Sequence, residues 1–285
     1  MMDNNYINYI DLHTHTVCSD GSMSPEELVR HAKNSGLTAV AVSDHDTADG
    51  VKEALAAGTK YGIEVVPAIE LSAKSDTETH ILGYFIDPDS PKLTEAMAYI
   101  RQVRTERLGE TCEMLQNLGI NVTLDEVKAE AKGGILCRAH IAAIMTRKGY
   151  SESPKAAFRE WLNVGCPAYS ESQALTDTEA IDLIRSAGGD AYLAHLHLTK
   201  KSSEELDRFV RHLVENGLTG LEGYYTDYTP KMAEEYRALA AKYGLKISGG
   251  TDFHGTFKPH ISIGSGTNDM KIPYDILEQM KNNRT

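Results

Sequence analysis

The chain has 285 residues, 41% apolar and 25% charged, enough to bury the core of one α/β barrel or of a barrel with an insertion. Lys and Arg number 29 against 41 Asp and Glu, and the net charge of −12 disfavours broad binding to duplex nucleic acid or to an anionic membrane surface. No uncharged apolar stretch approaches the roughly 20 residues of a membrane span. The N-terminal MMDNNYINYIDLHTH has no basic segment followed by an apolar run, so no signal peptide is expected. Cys18, Cys112, Cys137 and Cys166 lie far apart with no CxxC pair, and the expectation is reduced thiols in a cytoplasmic protein.

Seven short apolar runs read as strands in chain order: YIDLHTH from Tyr9, AVAVSDH from Ala39, VVPAIEL from Val65, HILGYF from His80, AYLAHLH from Ala191, GLEGYY from Gly220 and KISGGTDFH from Lys246. Helical patterns separate several of them. Ser24-Pro25-Glu26-Glu27 starts one as an N-cap with proline in the first turn, and Pro230 to Tyr243 reads likewise up to Gly244. Strand, helix, strand in alternation predicts parallel strands joined by crossover helices. His13, His15, His45, Glu70, His195, Asp252 and His254 all fall at or just past the C-terminal ends of these runs, the edge where parallel barrels build active sites. His31, His212 and His260 are scattered otherwise.

The stretch from about Tyr99 to Glu171 breaks the alternation. Arg101–Leu118, Leu124–Lys132, Ala139–Lys148 and Pro154–Leu162 read as successive helices without a strand between them, with Trp161 assigned to their core. The expected division is therefore a barrel over residues 1–98 and 173–285 with an all-α lid inserted over 99–172.

His13-Thr14-His15 puts two imidazoles on one side of a strand, and Asp252-Phe253-His254 repeats that geometry on the last strand. Either pair alone is weak evidence. Together with His45, Glu70, His80 and His195 they form a constellation that an ordinary core would not gather without a cation to compensate it.

At this point the sequence resembles the polymerase and histidinol phosphatase (PHP) family, most closely its stand-alone phosphoesterases. The resemblance rests on His13-Thr14-His15, Ser19-Asp20-Gly21, Ser43-Asp44-His45-Asp46-Thr47, Glu70 and Gly250-Thr251-Asp252-Phe253-His254-Gly255, in order along the whole chain. It implies a distorted (β/α)7 barrel with three divalent metal ions. His13, His15, Glu70 and Asp252 would hold one; Asp20, His45 and His254 a second; Glu70, His80 and His195 a third, with Glu70 bridging. Imidazole-rich ligation suits Zn, Fe or Mn. Three such ions bring about +6 against about −3 from Asp20, Glu70 and Asp252, a field suited to a phosphate anion. The expected chemistry is attack on phosphorus by a metal-bridging hydroxide, with no Ser or Cys nucleophile.

Glu70, Asp252 and His197 are the catalytic candidates, and Arg138, His140, Tyr169 and His197 the substrate-binding ones. Arg138 and His140 match the family's phosphate-contacting motif; a surface arginine and a helix-capping histidine is the plainer reading. The run Ala194-His195-Leu196-His197 departs from the family's proline and glycine after this histidine. His197 points to the same side as His195, as general acid, substrate contact or packed side chain. Gly223-Tyr224-Tyr225-Thr226-Asp227-Tyr228 lacks the histidine often found there. Asp44 is either an orienting partner of an imidazole or a strand-end cap. Tyr169 either lines the pocket or packs a hinge, and Lys200-Lys201 either meet a second phosphate or are solvated.

The function expected is hydrolysis of a phosphate ester on a small nucleotide or sugar: a mononucleotide, a nucleoside 3′,5′-bisphosphate or a ribose cyclic phosphate. Degradation of short RNA from its 5′ end ranks lower, because aromatics are scarce at 7%. C–N hydrolysis in related metal barrels usually relies on a bridging lysine, where this chain has Glu70. A non-catalytic, metal-stabilised regulatory barrel is the alternative of another class. Oligomeric state is not legible.

Overall fold

The structure, a computed structural model, describes residues 8–75, 77–170, 175–267, 269–282 and 284. The expected boundary at residue 172 and the N-terminal segment before Asn8 lie outside them.

The architecture is a distorted α/β barrel. Its strands are β1 (Tyr9–Asp11), β2 (Ala39–Val42), β3 (Glu64–Ser72), β4 (His80–Tyr84), β5 (Asp190–Leu193), β6 (Gly220–Tyr225), β7 (Lys246–Gly250) and β8 (Ile272–Pro273), in the sheet order β7-β6-β5-β4-β3-β2-β1-β8. All seven expected strands are present. Not all are parallel: β4 runs antiparallel to both β3 and β5, and β8, a two-residue strand the sequence did not reveal, runs antiparallel to β1. The ring closes past the formal ends of β1 and β7. There Leu12 N donates to Gly249 O at 3.1 Å, Asp252 N to His13 O at 2.8 Å and His15 N to Phe253 O at 2.9 Å.

Crossover helices cover the outside. The first, α1 (Pro25–Asn34), begins with the expected Ser24 cap in a reciprocal capping box with Glu27, and α2 (Val51–Tyr61) ends on the left-handed Gly62. Strand parity sorts the side chains. On β3, Val66 and Ala68 join the cluster of Leu82, Tyr84 and Tyr192 inside the barrel, whereas Ile69 and Leu71 pack with Ile181 and Ile184 of a covering helix. Glu70 shares the inner parity with Val66 and Ala68. On β4 the same rule sets His80 on the face of Leu82 and Tyr84. Because β4 is antiparallel, with Ser72 opposite His80, its first residue stands at the same barrel edge as the last residues of β3.

Between β4 and β5 lies the helical stretch, comprising α3 (Pro91–Asn117), α4 (Leu124–Ala131), α5 (Arg138–Arg147) and α6 (Pro154–Ala157), the last continued by a π-turn over Phe158–Leu162. It has its own apolar cluster, including Leu108, Leu115, Ile141, Met145 and Leu162, with Trp161 packed against it. Helix α3 starts ten residues before the sequence pattern predicts, on Pro91 after Ser90, and runs unbroken across position 99. Its Leu93 packs in the barrel cluster and its Leu108 and Leu115 in the helical one, so a single helix belongs to both cores.

Gly250 marks the close crossing of β7 over β1. A Cβ there would lie 2.3 Å from both the Cβ and the backbone nitrogen of His13. Gly250→Ala is therefore expected to lower stability by about 1–3 kcal/mol or more through overpacking against β1. A shift in the urea midpoint at unchanged slope measures it, and a wild-type midpoint would contradict this account of the crossing.

Candidate metal centre

Glu70 is fully buried, and both its carboxylate oxygens face imidazoles. Oε2 lies 3.2 Å from His13 Nε2, 3.3 Å from His15 Nε2 and 3.1 Å from His45 Nδ1. Oε1 lies 2.9 Å from His80 Nδ1 and 3.0 Å from His195 Nε2. Burial opposes the charge of Glu70, but His45, His13 and His80 outweigh it and hold the carboxyl well below its ordinary range. Conversely, burial pushes the His15 imidazole down, yet Asp252 and Glu70 lift it to about 9.

A second group adjoins the first. Asp20 Oδ1 is 3.2 Å from His254 Nε2 and 3.8 Å from His15 Nδ1, and Asp252 Oδ1 is 3.1 Å from His15 Nε2 and 3.7 Å from His13 Nε2. His254 and Asp252 share a strand end as expected. Asp252 adopts φ of 59° to do so, and its Oδ2 accepts from Tyr225 Oη at 2.9 Å and Lys258 Nζ at 2.6 Å.

These residues fit divalent cations. Among the described residues, His13 Nε2, both ring nitrogens of His15, His45 Nδ1 and Glu70 Oε2 are buried without a hydrogen-bond partner. Buried polar atoms left that way are costly unless something pairs them, and cations shared among them would. Ligand atoms of His13, His15 and Glu70, of His15, Asp20, His45 and His254, and of His45, Glu70 and His80 lie within 4.8 Å of one another in each group. Hard carboxylate beside borderline imidazole is a donor set suited to divalent cations.

Comparison with known proteins agrees. The PHP domain matches residues 11–271. The 5′-3′ exoribonuclease Rnm of Escherichia coli is 32% identical over 89% of this chain and 88% of its own. A 3′,5′-nucleoside bisphosphate phosphatase of Chromobacterium violaceum is 30% identical over 86% and 87%. A solved structure from Bifidobacterium adolescentis, inferred to be a metal-dependent phosphoesterase, superposes with a TM-score of 0.85 at 29% identity over 95% of both chains. The chain belongs to the PHP family. As a PHP protein it is a metal-dependent phosphoesterase.

The PHP cluster has buried supports that the sequence reading did not single out. Glu222, fully buried on β6, accepts from His13 Nδ1 at 2.8 Å and from the backbone nitrogen of His195 at 2.6 Å. A carboxylate only accepts here, so Nδ1 of His13 carries the proton and Nε2 is presented to Glu70. Asp11 accepts from the backbone of His13, Thr251 and Gly264 and from the Thr251 hydroxyl, tying β1 to β7. Asp44 resolves differently from either expectation: it accepts from Thr16 N, Thr16 Oγ1 and Ser19 Oγ, so it clamps the loop that carries Asp20. The one sequence signal for Glu222 and Asp11 is a carboxylate inside an otherwise apolar strand.

A cavity of about 560 Å³ opens above the cluster, lined by Asp20, His45, His80, Asp252 and His254 from the barrel and by Arg104, Arg138 and His140 from the helices. Arg104, also not anticipated, is ion-paired with Asp46 and donates to Ser72 Oγ at 2.9 Å. Arg138 donates to Leu162 O at 2.9 Å and lies within 6 Å of the Phe158 and Tyr169 rings. His140 caps its helix by accepting from Cys137 N at Nδ1, 3.1 Å away. That assigns the ring proton to Nε2, and burial keeps the imidazole neutral. Tyr169 is not among the cavity-lining residues; its ring sits by the guanidiniums of Arg107 and Arg138.

His197 does not follow the expected strand. β5 ends at Leu193, His195 takes φ of 24°, and Leu196–Thr199 coil into a 3-10 turn, so the two-residue parity with His195 is lost. The His197 ring instead packs on Tyr225 and Tyr228, each 5.4 Å away, and is not among the cavity-lining residues. Lys201 lies over the Phe209 ring at 4.7 Å, and neither it nor Lys200 lines the cavity.

If Glu222 fixes the tautomer and tilt of His13, Glu222→Ala should weaken metal retention roughly 10–100-fold, and Glu222→Gln should do so less. Competition against a graded series of chelators measures this. Unchanged retention in the alanine variant would remove the role.

Proposed function

We propose that this PHP phosphoesterase hydrolyses a phosphate ester bond of a small nucleotide or sugar phosphate, with cations held by His13, His15, Asp20, His45, Glu70, His80, His195, Asp252 and His254. The observation that carries the reading is the placement of this cluster on the floor of a cavity whose roof supplies Arg104, Arg138 and His140. Divalent ions, when bound there, supply Lewis-acid polarisation and activation of water.

The chain's own groups do the rest. Arg138 presents a planar fork of donors suited to phosphoryl oxygens, and the Nε2–H of neutral His140 adds a further donor without a proton to lose. Arg104, anchored on Asp46, and Lys258, anchored on Asp252, add positive charge to the wall. Burial first, and then the neighbouring charges of Arg138 and Arg104, lower Arg107 to about 10, so these guanidiniums stand close enough to feel one another. That local field is what lets a chain of net charge −12 attract an anion. The volume lies within the roughly 300–1,000 Å³ typical of small-ligand sites. The helices α5 and α6 act as a lid in this reading, over the boundaries 99–172.

A second reading, attack on the 5′ end of short RNA, is favoured by the likeness to the E. coli exoribonuclease. One screen separates the two: the Mn- or Zn-loaded protein, with mononucleotides, 3′,5′-bisphosphates, ribose cyclic phosphates and a 5′-phosphorylated trinucleotide, followed by phosphate and nucleotide release. Small monoesters or cyclic esters should turn over best, and cleavage of the trinucleotide alone would favour the exonuclease. Stripping the metals should abolish turnover and adding them back restore it. Arg138→Ala should lower kcat/KM about 100-fold at unchanged metal content, and wild-type kinetics in that variant would remove Arg138 from substrate binding.

A further inference from the structure

Glu78 belongs to none of the motifs discussed above, yet it lines the cavity. It precedes His80 by two positions at the leading end of β4, and the intervening Thr79 is buried at 2% exposure. With Thr79 turned into the protein, Glu78 and His80 both face the cavity. A carboxylate oxygen of Glu78 and ring nitrogens of His80 and His195 lie within 4.8 Å of one another. The loop is tied in place: Thr77 Oγ1 donates to Thr199 O at 3.0 Å, and Ala73 N to Thr79 O at 2.9 Å.

Two observations point to a cation between these groups. His80 Nδ1 and His195 Nε2 lie 3.2 Å apart and both face Glu70 Oε1, so three donor atoms converge on this side of Glu70. Three ligands leave a position open, and Glu78 approaches from the cavity side. The second observation is electrostatic. Among the described residues the Glu78 carboxylate has no salt-bridge partner, although it stands in a cavity suited to a phosphate anion. A bare carboxylate there repels the substrate, whereas one shared with a divalent ion does not.

We propose that Glu78 is a further metal ligand, completing with Glu70, His80 and His195 a four-donor position for a divalent ion at the cavity-facing end of the cluster. The inference rests on the multi-cation reading above. Glu78 is exposed whereas Glu70 is fully buried, so this position exchanges its ion with solvent most readily and empties first under a chelator.

The test uses the full chain loaded with Zn²⁺ alone, desalted, and counted for ions per chain by elemental analysis, then titrated with chelator. Glu78→Gln is expected to retain one ion fewer than wild type, or to release one ion at least about 10-fold more easily, the lower end of what even an outer-shell loss costs. Glu78→Asp, which keeps the charge but shortens the reach, should fall between. Far-UV circular dichroism, and Tm measured on the metal-free chain, should not move, because the side chain is exposed; in the metal-loaded chain Tm should fall with the lost ion. A Glu78→Gln variant with the wild-type ion count and wild-type chelator resistance overturns the proposal and leaves the rest of the cluster standing. A wild-type chain that retains no ion sinks the cation reading as a whole, and this inference with it.

Discussion

A carboxylate with no solvent exposure, set among five imidazoles, is the constraint on which the barrel's working edge depends. Removing one charged group from water carries an effective penalty of several kcal/mol, which only nearby opposite charge or strong hydrogen bonds offset. Glu70 meets that need on both oxygens, and it divides the cluster in doing so: His13, His15 and His45 gather at Oε2, His80 and His195 at Oε1. A side chain so placed cannot be satisfied by one partner. It requires that four separate strand ends reach the same point, and the closure of the ring is what brings them there.

The supporting residues follow from that requirement. β1 delivers His13 and His15 only if β7 runs close beside it, which is why Gly250 has no room for a side chain and why Asp11 ties the two strands through Thr251. His13 must then turn Nε2 toward Glu70, and Glu222 fixes that choice while also holding the backbone at His195. His195, in turn, reaches Glu70 from a left-handed backbone conformation, a strain that persists because Glu222 and the Tyr228 hydroxyl, which accepts from Leu196 N, hold both flanking peptides. Buried polar groups here are layered: the Glu70–imidazole cluster inside, orienting carboxylates behind it, strand hydrogen bonds behind those.

How much of this can be read in the sequence depends on spacing. His13-Thr14-His15 is legible because strand parity makes two residues apart mean the same side, whereas Asp252 and His254 lie past β7 and converge with Asp252 at φ of 59°, outside that rule. The seven strands and the capped helix at Ser24 are legible for the same local reason. His80 is not, from periodicity alone: it begins a strand, and only the reversed direction of β4 carries it to the edge where the others end. Glu222 and Arg104 are illegible in a different way. One acid in an apolar strand, or one arginine in a charged helix, has no local signature of what it faces, and that is decided by tertiary contacts. Parity does not reach His197, because the positive φ at His195 breaks the strand pattern there. β8 is two residues long and has no pattern to detect.

The helical stretch is bound into the site more firmly than its separate core implies. Helix α3 spans 27 residues without interruption and contributes to both apolar clusters, so the barrel and the helices share a rigid element where the sequence pattern places a boundary. From the middle of that helix Arg104 pairs with Asp46, the residue after His45, and Asp46 also accepts from Ser72 N at the end of β3. The cavity's cationic roof is therefore fastened to the two strand ends that carry His45 and Glu70. The arginine of the helical roof and the strand ends beneath it are thus set at a fixed separation by one largely buried ion pair.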